Sequence, residues 1–114
     1  MLNFVLPWPP SINHYWRHVG ARTLISREGR RFRERVIAIL AAQGVRPLSG
    51  KLFVQIDAFP PDNRRRDLDN VLKSLLDALQ HGGAYVDDSQ IVRLSIDKCE
   101  SVAGGKTLVH IRNA

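Results

Sequence analysis

Apolar and polar residues alternate over 51–59. Leu52, Val54, Ile56 and Ala58 point one way, and Phe53, Gln55, Asp57 and Phe59 the other. A period of two predicts a strand, which Pro60-Pro61-Asp62-Asn63 breaks. Val92, Leu94 and Ile96 alternate in the same way and predict another strand. Ala103-Gly104-Gly105 then turns the chain into a last strand ending near Arg112. A short apolar strand over roughly 3–6 opens the chain, stopped by Pro7-Trp8-Pro9-Pro10-Ser11, and Arg22 to Ile25 suits one more. Two stretches instead repeat at helical spacing. Phe32, Val36 and Ile39/Leu40 mark a helix with Ser26 as its cap, Glu28 in its first turn, Gly44 at its end and Pro47 beyond. Leu68, Leu72, Leu75/Leu76 and Leu79 mark the core stripe of a second helix over roughly 68–80, ended by Gly82-Gly83. Two helices packed on a small mixed sheet, an α+β fold in a single domain over residues 1–114, is the economical arrangement.

A chain of 114 residues is too small for a large enclosed substrate cavity, so a big ligand is expected on the outside. The net charge of +6 points to a polyanionic partner, nucleic acid before anionic membrane. No apolar stretch approaches the roughly 20 residues of a membrane-spanning helix, so no membrane partner is expected. The N-terminal residues lack the charged and apolar regions of a signal peptide. A lone Cys99 precludes a disulfide within one chain and suits a reducing cytoplasm. The charge is uneven. Residues 1–66 hold twelve Lys or Arg against four acids, whereas residues 67–114 hold five against seven.

The boundary between those halves carries the chemistry. Arg64-Arg65-Arg66 runs directly into Asp67-Leu68-Asp69-Asn70, with Lys73 one helical turn beyond Asp69. On an extended backbone Asp67 and Asp69 project to one side while Leu68 turns inward. A further pair, Asp87-Asp88, precedes the Val92 strand, and a helix followed by an adjacent return strand would bring Asp88 back towards Asp69. Carboxylates near a phosphate backbone repel it and one another. A divalent cation removes both penalties, and carboxylate oxygens are the hard ligands that Mg²⁺ selects. The bland alternative is that Asp67 and Asp69 cap a helix, Asp69 and Lys73 form a surface ion pair of about 0.3–0.5 kcal/mol, and Asp87-Asp88-Ser89 is an Asx-type turn.

Arg64-Arg65-Arg66-Asp67-Leu68-Asp69-Asn70 with Lys73, then Tyr85-Val86-Asp87-Asp88-Ser89-Gln90, resembles the RusA family of Holliday junction resolvases. The opening Pro7-Trp8-Pro9-Pro10-Ser11-Ile12-Asn13-His14-Tyr15-Trp16-Arg17 is similar to the same family's N-terminal signature. The correspondence runs over nearly the whole chain. It implies a homodimeric, Mg²⁺-dependent endonuclease (Mn²⁺ being a plausible substitute) that acts in recombination and repair. Such an enzyme resolves four-way junction DNA by paired nicks, leaving 5′-phosphate and 3′-hydroxyl ends, and needs no small-molecule cofactor. The resemblance puts the essential acids at Asp67, Asp69 and Asp88 and the essential lysine at Lys73. Arg66 and Asn70 match positions beside the metal that contact DNA, and Arg64, Arg65 and Asn13 are further expected contacts. Asp87 is taken as supporting rather than ligating. The rival readings are a non-catalytic DNA-binding module with structural acids, and a metal-dependent nuclease acting on another branched DNA or on RNA.

Other signals are weaker. Gly104-Gly105-Lys106-Thr107 echoes a phosphate-binding loop but enters a strand, so it reads as a hairpin turn. His14 and His18 lack a helical setting for zinc. Trp8, Tyr15 and Trp16 either stack on unpaired bases or pack a core or dimer interface. Arg27, Arg30, Arg31, Arg33 and Arg35 on the first helix are either DNA-facing or an ordinary solvated face.

Overall fold

A computed structural model describes the backbone of residues 1–114 and every side chain except that of Ile12. The chain runs through β1 (Leu2–Pro7), α1 (Ile12–Tyr15), β2 (Trp16–Val19), β3 (Arg22–Ile25), α2 (Arg27–Ala42), β4 (Leu52–Phe59), α3 (Leu68–His81), β5 (Ile91–Lys98) and β6 (Lys106–Asn113). Four strands form one sheet in the order β1-β6-β4-β5, and β2-β3 is a separate antiparallel hairpin. The sheet is mixed: β6 runs antiparallel to both β1 and β4, whereas β4 and β5 are parallel. Parallel neighbours need a long crossover, and α3 supplies it. The expected α+β domain is the one observed, with α1 and β2 as elements that the periodicity did not announce.

Alternation along β4 decides where the core lies. Leu52, Val54, Ile56 and Ala58 are fully buried on the helix side, the first three in one cluster with Val36 and Leu40 of α2 and Leu75 and Leu79 of α3. On the other face Phe53 lies under two guanidinium groups, Arg93 at 4.5 Å and Arg112 at 5.0 Å from the ring centroid. Lys106 stands 5.1 Å from the ring of Phe59. Long cationic stems thus cover the aromatic rings of a sheet face that carries no helix.

The first long helix begins and ends as its residues predict. Ser26 accepts a hydrogen bond from the Gly29 N–H at 2.9 Å and donates to the His14 carbonyl, tying α1 to α2. At the other end the Gly44 N–H reaches Ala41 O and the Val45 N–H reaches Leu40 O, with Gly44 at φ +64°. That pair of bonds satisfies two terminal carbonyls around a left-handed residue where glycine costs least.

The stripe predicted for α3 is met by Leu75 and Leu79, fully buried, and by Leu72 and Leu76, half-buried against the core, while Leu68 stays outside it. Val71, Ser74 and Ala78 are buried as well. Because α3 is packed by α2 and the 8–11 segment as well as the sheet, small residues at 74 and 78 face the close contacts and the stripe widens. Ser74 donates to the Pro10 carbonyl at 2.9 Å and to Val71 O at 3.1 Å, which anchors the proline-rich segment on α3.

Candidate active site

The link from β4 to α3 is a rigid basic turn. Asp62 accepts from the Arg64 N–H at 2.9 Å and holds the Arg66 guanidinium at 2.6 Å. The Arg66 guanidinium, helped by the Arg64 N–H, depresses the Asp62 carboxyl to about 2, and Arg66 is correspondingly pushed up. Arg66 in turn stands 5.9 Å from the ring centroid of Trp8, and Lys98, at the end of β5, donates to the Arg66 carbonyl at 2.7 Å. Trp8, the arginine turn and the end of β5 therefore meet at one end of the molecule.

Asp67 follows on extended backbone (φ −94°, ψ 133°) as the residue preceding α3, and its carboxylate makes no capping hydrogen bond. Asp69 lies in the first helical turn, where the free backbone N–H groups favour negative charge. Both are exposed, as is Lys73. Among the described residues the ion pairs are Arg33–Asp77, Arg64–Asp62, Arg66–Asp62 and His81–Asp77, so the surface pair between Asp69 and Lys73 is not made. Two carboxylates free of protein partners, with a lysine a turn away, is a donor set that fits a hard divalent cation.

Asp88 is placed elsewhere. It starts a 3-10 turn (Asp88–Gln90) whose geometry Gln90 sets: its side-chain oxygen accepts from the Val86 and Asp87 N–H groups, and its amide donates to Leu48 O and Gly50 O. The Asp88 N–H donates to the side chain of Gln80 at 3.0 Å. Gln80 lies eleven residues beyond Asp69 on α3, about 16 Å along the axis. The expectation that the return strand would bring Asp88 to Asp69 within one chain is therefore corrected. β5 is parallel to β4, so it begins beside the C-terminal end of α3 and away from Asp67. No three His, Cys, Asp or Glu side chains converge among the described residues. The Asp87 carboxylate accepts from the Ser89 hydroxyl and is held below its ordinary range by that bond, so it is occupied within the turn.

A cleft of about 600 Å³ opens beside Asp67. Its walls are Trp8, Pro9, Pro10 and Val71, and Ser11, Asn13, His14, Asn70 and Arg64 to Arg66 supply the polar atoms. The structure thus brings the expected contacts Asn13, Arg64, Arg65, Arg66 and Asn70 together around Asp67. Arg66 is partly spent on Asp62.

One cluster had no signal in the sequence. Asp77 of α3 accepts from the Tyr15 hydroxyl and from Arg33 Nη2 at 2.7 Å, and the Arg33 guanidinium lies 6.0 Å from the centroid of the Tyr15 ring. Burial, then the hydrogen bond to Asp77, raises the Tyr15 hydroxyl above the ordinary tyrosine range. For Arg33 burial works against the charged form, but its bonds to Asp77 and Tyr15 prevail and raise it. Arg33 is therefore neither DNA-facing nor idle, and Tyr15, fully buried, is a core residue rather than a base-stacking one. Cys99 is half-buried; burial, then the carboxylates of Asp57, Glu100 and Asp97, raises its thiol, which suits a packing role better than a nucleophile. No helix among the described residues is long and apolar enough to cross a membrane.

Comparison with known proteins bears on this arrangement. Residues 7–112 match the family model described as endodeoxyribonuclease RusA. The crossover junction endodeoxyribonuclease of Enterobacteria phage HK97 is 40% identical over 109 residues, covering 95% of this chain and 91% of its own. That of Shigella sonnei strain Ss046 is 41% identical over 105 residues, 91% of this chain and 88% of its own. That of Escherichia coli strain K12 is 40% identical over the same lengths. A nuclease family of this kind implies a divalent metal and branched DNA as partner in general terms. Match and relatives together span nearly the whole sequence, and this chain belongs to the RusA family of crossover junction endodeoxyribonucleases.

Proposed function

We propose that two copies of this chain form a Mg²⁺-dependent resolvase that nicks a four-way DNA junction at two symmetric positions. In this reading Asp67 and Asp69 of one subunit and Asp88 of the partner subunit hold the metal. The observation that carries it is the separation of the acids: Asp67 and Asp69 precede and begin α3, while Asp88 lies against Gln80 near its far end. A two-fold axis relating two chains can unite what one chain keeps apart.

β5 offers the surface for that axis. It is the edge strand of the sheet, with Val92 56% and Leu94 39% exposed. An edge strand leaves backbone donors and acceptors unpaired, a template for another chain. Antiparallel pairing of β5 with the partner's β5 sets the start of one strand beside the end of the other. The turn that Asp88 starts leads directly into β5, and Lys98 at its end already touches Arg66. The partner's Asp88 is thereby delivered to the Asp67–Asp69 end.

Bound there, Mg²⁺ supplies Lewis acidity and cancels the mutual repulsion of the carboxylates. The chain's own residues do the rest. Asp67 and Asp69 fix the cation at the helix start, and Lys73 stabilises the charge that develops on the scissile phosphate. Arg64 and Arg65, exposed and flanking the cleft, position the backbone. Asn70 and Asn13 face the nucleotide next to the cut. Attack by water breaks the P–O3′ bond and forms a new P–O bond, leaving a 5′-phosphate and a 3′-hydroxyl. The test is a synthetic four-way junction incubated with wild-type protein in Mg²⁺ and in EDTA, beside Asp69→Asn. Symmetric paired nicks are expected in the first alone. A junction bound but uncut in Mg²⁺ overturns the reading.

A further inference from the structure

The cleft beside Asp67 has the composition of a nucleotide receptor rather than a backbone groove. It carries a flat indole wall, the amide-bearing side chains of Asn13 and Asn70, and arginines at 64–66. Among the described residues, no hydrogen bond engages either amide side chain. The indole is held in place. Arg66, itself fixed by Asp62 at 2.6 Å, stands 5.9 Å from the ring centroid, and Gly105 packs against the root of the side chain, where an added Cβ would lie 2.9 Å from Trp8 Cβ. A rigid aromatic face with unsatisfied amide donors and acceptors around it matches a nucleobase, which stacks by its ring and hydrogen-bonds by its edge. A volume of about 600 Å³ takes a base together with its sugar. A base that stacks on the indole must first leave its own stack, a step that costs least where pairing is already interrupted.

Resting on the reading of this chain as a junction nuclease, we propose that the cleft receives one unpaired nucleobase from the crossover. The base stacks on Trp8, and its edge is read by Asn13 and Asn70. Because Asp67 lines the same cleft, the seated base fixes which phosphate lies at the carboxylates. Trp8 is then a positioning residue, and Asn13 a determinant of sequence preference.

The experiment uses full-length protein and a set of four-way junctions, each with one abasic nucleotide near the crossover, cut under single-turnover conditions in Mg²⁺. On the intact junction Trp8→Ala is expected to lower nicking by about 10- to 100-fold, the range of base–aromatic stacking, while Trp8→Phe keeps most of it. At one position the abasic lesion should impose a similar loss on wild type and no further loss on Trp8→Ala. Asn13→Ala should change which base at that position is cut fastest and should have no effect once the base is missing. That variant carries the test if Trp8→Ala does not fold. Losses that multiply at every position, or an Asn13→Ala effect that persists on every abasic substrate, overturn the inference. Wild type that nicks the intact junction without any coupled position sinks this inference alone. Wild type that nicks no junction sinks the functional reading, and the inference with it.

Discussion

The Asp88 backbone N–H is hydrogen-bonded to the Gln80 side chain at 3.0 Å, which fixes Asp88 near the C-terminal end of the helix that Asp69 begins. Asp67 and Asp69 thus lie at one end of α3 and Asp88 beside the other.

This separation predicts complementation between inactive proteins. Asp69→Asn and Asp88→Asn should each lose more than about 100-fold in junction cutting when assayed alone, from weakened metal binding. Mixed and allowed to exchange subunits, they form heterodimers in which one composite site has all its carboxylates. Single nicks should reappear in the mixture, read on a labelled junction by gel. If each site were built from one chain, the mixture would stay as inactive as its parts.

The β5 edge makes a separate prediction. Leu94 pairs with Val54 across the sheet yet stays 39% exposed. Leu94→Lys should shift the protein from dimer to monomer in sedimentation with little change in the melting of the monomer. Cutting should fall in parallel with the dimer fraction. A dimer of unchanged stability would exclude β5 as the interface.

The Tyr15–Asp77–Arg33 cluster joins α1, α2 and α3. Asp77→Ala leaves two part-buried donors without an acceptor and should cost about 1–3 kcal/mol, seen as a melting temperature lower by several degrees. The Tyr15 hydroxyl is raised in the folded state above its unfolded value of 10.0. Its contribution is therefore fully present below pH 10 and is lost as the pH rises towards the folded value. The stability difference between wild type and Tyr15→Phe should be constant from pH 7 to 9 and shrink above pH 10 in denaturant titrations.

Two neighbouring glycines should behave differently. Gly104 and Gly105 both have positive φ, 78° and 68°. A Cβ at Gly104 meets open space, whereas one at Gly105 would lie 2.9 Å from Trp8 Cβ and 3.1 Å from the Pro61 nitrogen. Gly104→Ala should cost only the left-handed conformation, about 1–2 kcal/mol. Gly105→Ala should cost more and should also weaken junction cutting, because it displaces the cleft wall. Equal melting temperatures for the two variants would contradict this.

Much of the molecule was legible in the order of residues because its determinants are local. Ser26 and Gly44 announce the ends of α2, the alternation over 51–59 announces both faces of β4, and Pro60-Pro61-Asp62-Asn63 announces the break between β4 and α3. α1 and β2 escaped notice because they are short and lie among prolines and histidines without a clear period. Asp77 escaped because its partners, Tyr15 and Arg33, are 62 and 44 residues away.

By itself the sequence determined the longer elements, the caps of α2 and the basic balance, since each depends on composition or on neighbours within a turn or two. Only the tertiary structure decided that β5 runs parallel to β4. A parallel neighbour must begin at the far end of its crossover helix, so no reading of adjacent residues could say that Asp88 and Asp69 lie apart in one chain. Strand direction is a long-range choice, made by how α3 packs on the sheet and against α2. That choice leaves Asp67 and Asp69 at one end of α3 and Asp88 beside Gln80 near the other.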